Sequence, residues 1–212
     1  MEERKFVKVR KDEFDLREFL KKTFGKGRVS SIRVEYTPVG EKIVIRTHKP
    51  GIIIGKRGEK IIELTEVLKK KFNMENPHIE IEEIKKPYFD AQLVADEIAL
   101  LLERFGSIRF KAVCYKALTK IKASGALGAE IRVSGKLPSD RAKTWPFSFG
   151  YLKKTGEPSK IVEKAQSVAE TKQGVIGIKV SILSPDVPIY DKIDVSEEFI
   201  NKIKENSIKV KK

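Results

Sequence analysis

Apolar residues near the start of the chain follow first a helical and then a strand-like spacing. Between residues 12 and 24 they recur every three to four positions, with acidic residues early and lysines late, which favours a helix that ends at Gly25. The residues on the predicted stripe are Phe14, Leu16, Phe19, Leu20 and Phe24. Residues 28–37 and 41–48 have strand composition, and the Pro-Val-Gly segment between them is typical of a hairpin turn.

A turn rich in glycine and cations follows these strands, within the segment PGIIIGKRGEKI. Its tetrapeptide GKRG, at residues 55–58, lies between a short apolar segment and an amphipathic helix at residues 59–72. Residues 77–84 alternate isoleucine with acidic residues, as a strand does, and residues 90–105 predict another helix, which ends at Gly106. The predicted order is helix, strand, strand, short helix, turn, helix, strand, helix.

The second half of the chain predicts one helix and an antiparallel sheet. Residues 107–124 have an apolar face and a lysine-rich face, which indicates a helix. Strand candidates lie at residues 129–135, 142–152 and 167–183, and a Gln-Gly pair at 173–174 is expected to fold the last of them into a hairpin. We therefore predict the α+β class, with a helix packed on an antiparallel sheet.

Gly106 is the predicted boundary between two domains, because it ends a helix and precedes a change in charge. We expect a first domain at residues 1–106, with its core at about 12–86 and a linking helix at 90–105, a second domain at 107–184, and a polar tail at 185–212.

Charge is distributed unevenly along the chain. Of its 212 residues, 40% are hydrophobic and 35% are charged, which fits a globular protein with a heavily charged surface. The net charge is +14, and residues 107–180 carry fifteen basic and only five acidic side chains. Such an excess is expected of a domain that binds a polyanion.

The sequence also indicates a location. The single cysteine, Cys114, excludes an intramolecular disulfide and a zinc site built on several cysteines of one chain. The first residues carry charges where a signal peptide needs an apolar core, and no apolar run approaches the roughly 18 residues that a membrane span requires. We expect a cytoplasmic protein without a membrane partner.

The GKRG turn combines three features that favour phosphate binding. Gly55 and Gly58 can adopt positive φ values and leave the main chain open to a phosphate. A helix that starts at about Gly58 points its free N–H groups at any bound anion. Lys56 and Arg57 add positive charge at the same place. The side chains expected to form an apolar wall for bases beside the turn are Ile52, Ile53, Ile54 and Ile61.

Other glycine-rich turns fit the spacing less well. A nucleotide P-loop needs four residues between its glycines and a Ser or Thr after its lysine, whereas Gly51 and Gly55 enclose three residues and Arg57 follows Lys56. A dinucleotide-binding turn needs its first two glycines one residue apart, which this segment lacks. An ordinary corner between two helices, with surface cations, remains an alternative on these residues alone.

The turn resembles the KH family in its second topological type, in which an extra helix and strand precede the GxxG turn. The positions that match the family pattern are Ile53, Ile54, Gly55, Gly58 and Ile61. The resemblance implies that the turn and an adjoining strand clamp about four nucleotides of single-stranded nucleic acid. The RNA-binding residues that it implies are Gly55, Lys56, Arg57, Gly58, Ile54 and Ile61.

The second half resembles the C-terminal domain of the universal family of the third small-subunit ribosomal protein, in its archaeal form. The similar stretches are VSGKL at 133–137, RAKTWPFSFGYLKKTGEP at 141–158 and GVIGIKVSIL at 174–183. The resemblance implies a structural, non-enzymatic protein in the head of the small ribosomal subunit. It would bind ribosomal RNA, line the region where messenger RNA enters, and lie beside the tenth and fourteenth proteins of that subunit. The candidate contacts to ribosomal RNA are Arg109, Lys111, Lys116, Lys120, Arg132, Lys136, Arg141 and Lys143.

The remaining candidate residues have structural interpretations. His48 and His78 have no second metal ligand nearby in sequence, and Cys114 lies on the apolar face of its helix. The rings that alternate along one predicted strand are Trp145, Phe147 and Phe149. This alternation favours a core role over base stacking. We expect no catalytic residue, metal or cofactor. A free-standing KH regulator of transcripts and an abasic-site lyase or nuclease acting on DNA are the alternative functions.

Overall fold

The computed structural model describes residues 2–38, 40–72, 74, 76–139 and 141–187, which form two sheets with helices packed on each. In the first half, the observed order of helices and strands confirms the prediction. Its elements are α1 (Glu2–Phe24), β1 (Val29–Thr37), β2 (Gly40–Thr47), α2 (Pro50–Ile54), α3 (Glu59–Phe72) and β3 (His78–Glu83). β2 lies in the middle of the sheet, antiparallel to β1 and parallel to β3.

The first hydrophobic core lies between this sheet and the helices α1 and α3. Leu16 and Leu20 lie one turn apart on α1, and Ile43 and Ile45 alternate on β2, so each pair points to one side of its element. Fully burying one such side chain stabilises the fold by about 1.5–3 kcal/mol. The apolar spacing therefore fixes which side of α1 faces the sheet.

Helix α1 differs from its prediction in length and in one buried residue. It begins at Glu2 rather than near residue 12. Phe14, which was expected on the buried stripe, is 62% exposed. Each residue advances about 100° around a helix, so Phe14 lies about 200° from Leu16 and faces away from the sheet. The prediction was wrong for Phe14 and is confirmed for Leu16, Leu20 and Phe24, which are buried.

The second half contains two helices and an antiparallel sheet with the strand order β5-β4-β7-β6. Its elements are α4 (Ala91–Phe105), α5 (Phe110–Ala123), β4 (Gly128–Gly135), β5 (Lys143–Gly150), β6 (Glu163–Thr171) and β7 (Gly174–Leu183). Thr171 pairs with Gly174, which confirms the hairpin predicted at residues 173–174.

Helix α4 packs on the second sheet together with α5. Its start is capped by Asp90, whose carboxylate accepts hydrogen bonds from the N–H groups of Gln92 and Leu93 at 2.9 and 3.1 Å. Its residues in the second core are Ala91, Val94, Ala95, Ile98, Ala99 and Leu102. The α+β class is confirmed, and the helix expected as a linker contributes a second helix to this layer. The domain limits themselves stay a prediction.

Polar contacts join the two halves. Lys26, in the connection between α1 and β1, donates to Glu103 on α4 at 2.8 Å and to the carbonyl of Val168 on β6 at 2.9 Å. The N–H of Gly27 donates to the carboxylate of Asp96 on α4 at 3.0 Å. These bonds hold the start of β1 against the second half.

Two further expectations concern the C-terminal tail and membrane-spanning helices. The polar tail predicted at 185–212 lies, from residue 188 onward, outside the described residues. Among the residues that the structure does describe, no helix has both the length and the apolar character needed to cross a membrane.

Candidate nucleic-acid interface

The GKRG turn joins α2 to α3 through three residues with left-handed backbone. The φ angle is +74° at Gly55, +53° at Arg57 and +81° at Gly58. The N–H of Gly55 donates to the carbonyl of Gly51 at 3.1 Å, which ends α2, and Lys56–Gly58 form a single 3-10 turn before α3. Glycine adopts such φ values freely, whereas Arg57 does so at a cost of about 1–2 kcal/mol. The two glycines therefore make the sharp reversal possible.

The turn presents two cations and an open main chain to solvent. Lys56 and Arg57 are exposed, and neither forms an ion pair with any residue that the structure describes. A Cβ added to Gly58 would meet no atom within 4 Å, so the main chain there is accessible. Because α3 begins directly after the turn, its first N–H groups lie beside both cations. This arrangement suits a phosphate group.

The isoleucines beside the turn have two different environments. Ile54 is 38% exposed and Ile52 and Ile61 are half-buried, so all three can lie against a ligand. Ile53 is fully buried in the first core, and its prediction as part of the apolar wall was wrong. Neighbouring residues of α2 differ by about 100° in direction, which explains the contrast between Ile53 and Ile54. The edge strand β3 contacts α2 and α3, the two helices that the turn joins.

The cations predicted along α5 do not form one patch. Lys111 and Lys120 are separated by about half a turn around the helix axis. The Nζ of Lys111 lies 4.9 Å from the centre of the Trp145 ring. The Nζ of Lys120 instead donates to Glu97 on α4 at 2.5 Å and lies 5.4 Å from the ring of Tyr88. The hydrogen bond to Glu97 raises the pKa of Lys120.

The other predicted cations lie in four places. Arg109 is exposed in the turn before α5, and Lys116 is exposed on α5 itself. Arg132 lies on the outer face of β4, where its Nε donates to Glu130 at 3.0 Å. The exposed cations at the connection between β4 and β5 are Lys136, Arg141 and Lys143. The RNA-binding role of all these residues stays a prediction.

Sequence reasoning missed four cations that lie near Arg132. They are Lys153, Lys154, Lys164 and Lys179. One signal was present, because Lys179 is exposed between the buried residues Ile178 and Val180, as the alternation of a strand requires. Its position opposite Arg132 depends on the register between β4 and β7, which the sequence pattern does not supply.

Comparisons with known proteins match both halves of the chain. Residues 15–88 match the model of the KH domain, and residues 98–182 match that of "Ribosomal protein S3, C-terminal domain". The small ribosomal subunit protein uS3 of Methanocaldococcus jannaschii is 41% identical over 199 residues, which cover 93% of this chain and 95% of that protein. The protein of the same name from Methanococcus maripaludis strain C5 is 36% identical, with 98% of each chain covered. The chain belongs to the ribosomal protein S3 family.

Membership of the S3 family confirms the resemblance seen in both halves, and these relatives are archaeal, as expected. The KH match includes the whole GKRG turn. The S3 C-terminal match begins within α4, which agrees with the packing of that helix in the second core.

The remaining aromatic and thiol candidates of this S3-family chain lie mainly in the second core. Cys114 is fully buried, and burial raises the pKa of its thiol to about 12. Phe147 is buried and Phe149 packs against the same core, while Trp145 is 36% exposed at its edge. The core interpretation is therefore confirmed for Phe147 and Phe149, and Trp145 keeps a face toward solvent.

The surroundings of the two histidines and of two lysines in this S3-family chain bear on the metal-binding and lyase alternatives. His48 and His78 are exposed, and the described residues contain no group of three or more His, Cys, Asp or Glu that could hold a metal. A lysine that attacks an abasic site needs a lowered pKa. Lys42 and Lys120 instead have raised pKa values, because each hydrogen-bonds to a glutamate.

Proposed function

We propose that this protein is a structural, RNA-binding component of the small ribosomal subunit head and acts in translation in the cytoplasm. Its second half holds ribosomal RNA, and its KH half presents the GKRG turn to messenger RNA where that RNA enters the subunit. Family membership and the shared name of the relatives support the subunit assignment. The left-handed turn, with two exposed cations at the start of α3, is the observation that carries the RNA contact.

At the KH turn, the main chain and the side chains have different roles. The accessible main chain at Gly58 lets a phosphate approach the N–H groups at the start of α3. Lys56 and Arg57 supply positive charge, which attracts a backbone of any sequence. Ile54 and Ile61 offer apolar surface to the bases. Together they account for a grip on a single strand with little demand on its sequence.

The second half has the charge expected of a domain that binds folded RNA. Its fifteen basic and five acidic side chains between residues 107 and 180 favour binding through the release of counterions from phosphates. The exposed cations among its predicted RNA contacts include residues before α5, on α5, on β4 and around the connection between β4 and β5. Because these places are separate, we infer contacts with more than one segment of ribosomal RNA. The tenth and fourteenth proteins of the subunit are the proposed protein neighbours.

The test uses a double variant, called the turn variant, that carries both Lys56→Asp and Arg57→Asp. Its control is a second double variant, with Lys69→Asp and Lys70→Asp. The control pair is exposed in the last turn of α3 and carries the same change in charge. Each protein is expressed as the only copy in cells, and its distribution is measured across a ribosome gradient. We expect all of them to sediment with small subunits at close to one copy each.

Messenger contact is measured in the same fractions by ultraviolet crosslinking. We expect the turn variant to lose roughly tenfold in crosslinks to messenger RNA, because hydrogen bonds to charged groups contribute about 1.5–3 kcal/mol each. The control variant is expected to stay close to the wild type. Absence of the wild-type protein from small subunits would overturn the proposed function. Equal crosslinking in the turn and control variants would overturn the proposed messenger contact but not the assignment to the small subunit.

A further inference from the structure

The outer face of the second sheet carries a polar pocket that the function proposed above does not use. Arg132 pairs with Lys179 across β4 and β7, and Lys164 pairs with Ser181 across β6 and β7, so these side chains are neighbours on the face opposite α4 and α5. The pocket has a volume of about 220 Å³. Its polar lining residues are Glu130, Arg132, Lys153, Lys154, Lys164, Lys179 and Ser181.

A buried carboxylate organises this pocket. Glu130 is only 7% exposed. It accepts hydrogen bonds from Nε and Nη2 of Arg132 at 3.0 and 3.3 Å and from Nζ of Lys154 at 3.0 Å. Burial alone would raise the pKa of this carboxyl, but the bonds from Arg132 and Lys154 outweigh it and hold the pKa below its ordinary value. Glu130 is therefore ionised and fixes two cations in position.

The charges in the pocket are not balanced within it. One carboxylate and five cationic residues line the pocket, and the Nζ of Lys164 has an uncharged partner, the hydroxyl of Ser159, at 2.8 Å. Concave sites with one sign of charge concentrate the electrostatic potential and attract ions of the opposite sign. The cations concerned are Arg132, Lys153, Lys154, Lys164 and Lys179. An anion is the ligand that this imbalance favours.

The lining fits a phosphate group better than a base. Arg132 uses Nε and one hydrogen of Nη2 for Glu130, which leaves its other guanidinium donors for a planar, two-point contact with phosphate oxygens. The hydroxyl of Ser181 can add an uncharged donor. The apolar part of the wall consists of Leu152 and Val162, and no ring on which a base could stack is present among the lining residues that the structure describes.

We propose that this pocket binds one phosphate group of an RNA backbone, with Arg132, Lys164 and Lys179 as donors and Glu130 as the positioning residue. The identity of the polyanion as RNA rests on the proposed function. Since phosphate contacts carry no base information, the pocket holds RNA without regard to its sequence. It thereby gives the second half a fixed attachment point that is separate from the KH turn.

The first test measures binding of the purified full chain to a labelled RNA hairpin over a series of KCl concentrations. The variant Lys164→Gln with Lys179→Gln is expected to bind roughly tenfold more weakly at moderate salt and to lower the slope of log affinity against log salt by about one. A control with Lys69→Gln and Lys172→Gln removes two exposed lysines away from the pocket and should change affinity less than twofold. Equal losses in both variants would overturn the proposal.

The second test separates positioning from net charge. Glu130→Gln makes the chain more positive, so attraction through charge alone predicts tighter RNA binding, whereas a positioning role predicts weaker binding. We expect weaker binding, in a protein whose circular dichroism spectrum is unchanged. Tighter binding would overturn the role of Glu130.

A third arm separates failure of the pocket from failure of the proposed function. If the wild type binds the RNA hairpin and the pocket variants bind it as tightly as their control does, the proposal for the pocket is wrong and the proposed ribosomal function stands. If the wild type does not bind RNA even at low salt, both are wrong.

Discussion

The GKRG turn and the pocket around Glu130 arrange positive charge at the surface in two different ways. At the turn, the main chain does the positioning, because the left-handed φ values of Gly55 and Gly58 bring the cations and helix N–H groups to one place. At the pocket, a buried carboxylate holds Arg132 and Lys154, and the register of three strands brings the other cations near. The turn should therefore be sensitive to backbone changes, and the pocket to the loss of one acid.

The largest expected effect tests whether the inner face of the second sheet is independent of its charged outer face. Cys114 lies on α5 beneath the inner face, and its thiol has a pKa of about 12 because it is buried. At pH 8 we expect iodoacetamide to label it at least roughly a thousandfold more slowly in the native protein than after unfolding, since an ordinary thiol has a pKa of about 8.5. Mass spectrometry over time measures the two rates.

The pocket variants should protect Cys114 as well as the wild type does. Rapid labelling of the native wild type would show that α5 does not stay packed as described. Rapid labelling of the variant with Lys164→Gln and Lys179→Gln alone would mean that the two faces are coupled, and the RNA-binding comparison would then have to be corrected for stability.

The next effect concerns the backbone at the turn. Gly58→Val places a branched side chain at a φ of +81°, which we expect to cost about 2–3 kcal/mol in unfolding free energy and to weaken messenger crosslinking. Urea denaturation measures the first quantity. Gly51→Ala is the matched control, because an added Cβ there meets no atom within 4 Å and its φ is not positive. Equal stability of both variants would contradict positioning by the main chain.

The smallest effect concerns acid and the pocket. The pKa of Glu130 is lower in the folded protein than its ordinary value of 4.5, so folding is favoured by its ionisation. This contribution is complete above about pH 4.5 and is lost as the pH falls through the folded pKa. The difference in unfolding free energy between the wild type and Glu130→Gln should therefore shrink on acidification below that point. A difference that stays constant with pH would mean that the carboxylate is not held by its cations.

Features that depend on neighbouring residues were predictable from the sequence. The helices ended by Gly25 and Gly106, the hairpin at residues 173–174 and the turn at residues 55–58 each follow from a short run of residue types with known backbone preferences. The apolar spacing also predicted both cores and the α+β class, because burial is decided by which face of each element is apolar.

Features that depend on the direction of a side chain, or on the pairing of residues far apart in the chain, were not predictable from the sequence. Phe14 lies two residues before Leu16, and Ile53 lies one residue before Ile54, yet both point elsewhere, since each step along a helix turns the side chain by about 100°. The lysines of α5 belong to one helix yet lie on opposite sides of it. The pocket required the register of β4, β6 and β7, which is set by packing of the whole sheet.

The bonds of Lys26 and Gly27 to α4 and β6 give the protein a mechanical property. Under the proposed function, a messenger RNA bound at the GKRG turn would exert force on the first sheet. Three hydrogen bonds, at the residues just before β1, join that sheet to α4 and β6 of the second half. Force on the messenger would then be shared with the ribosomal RNA that the second half is proposed to hold.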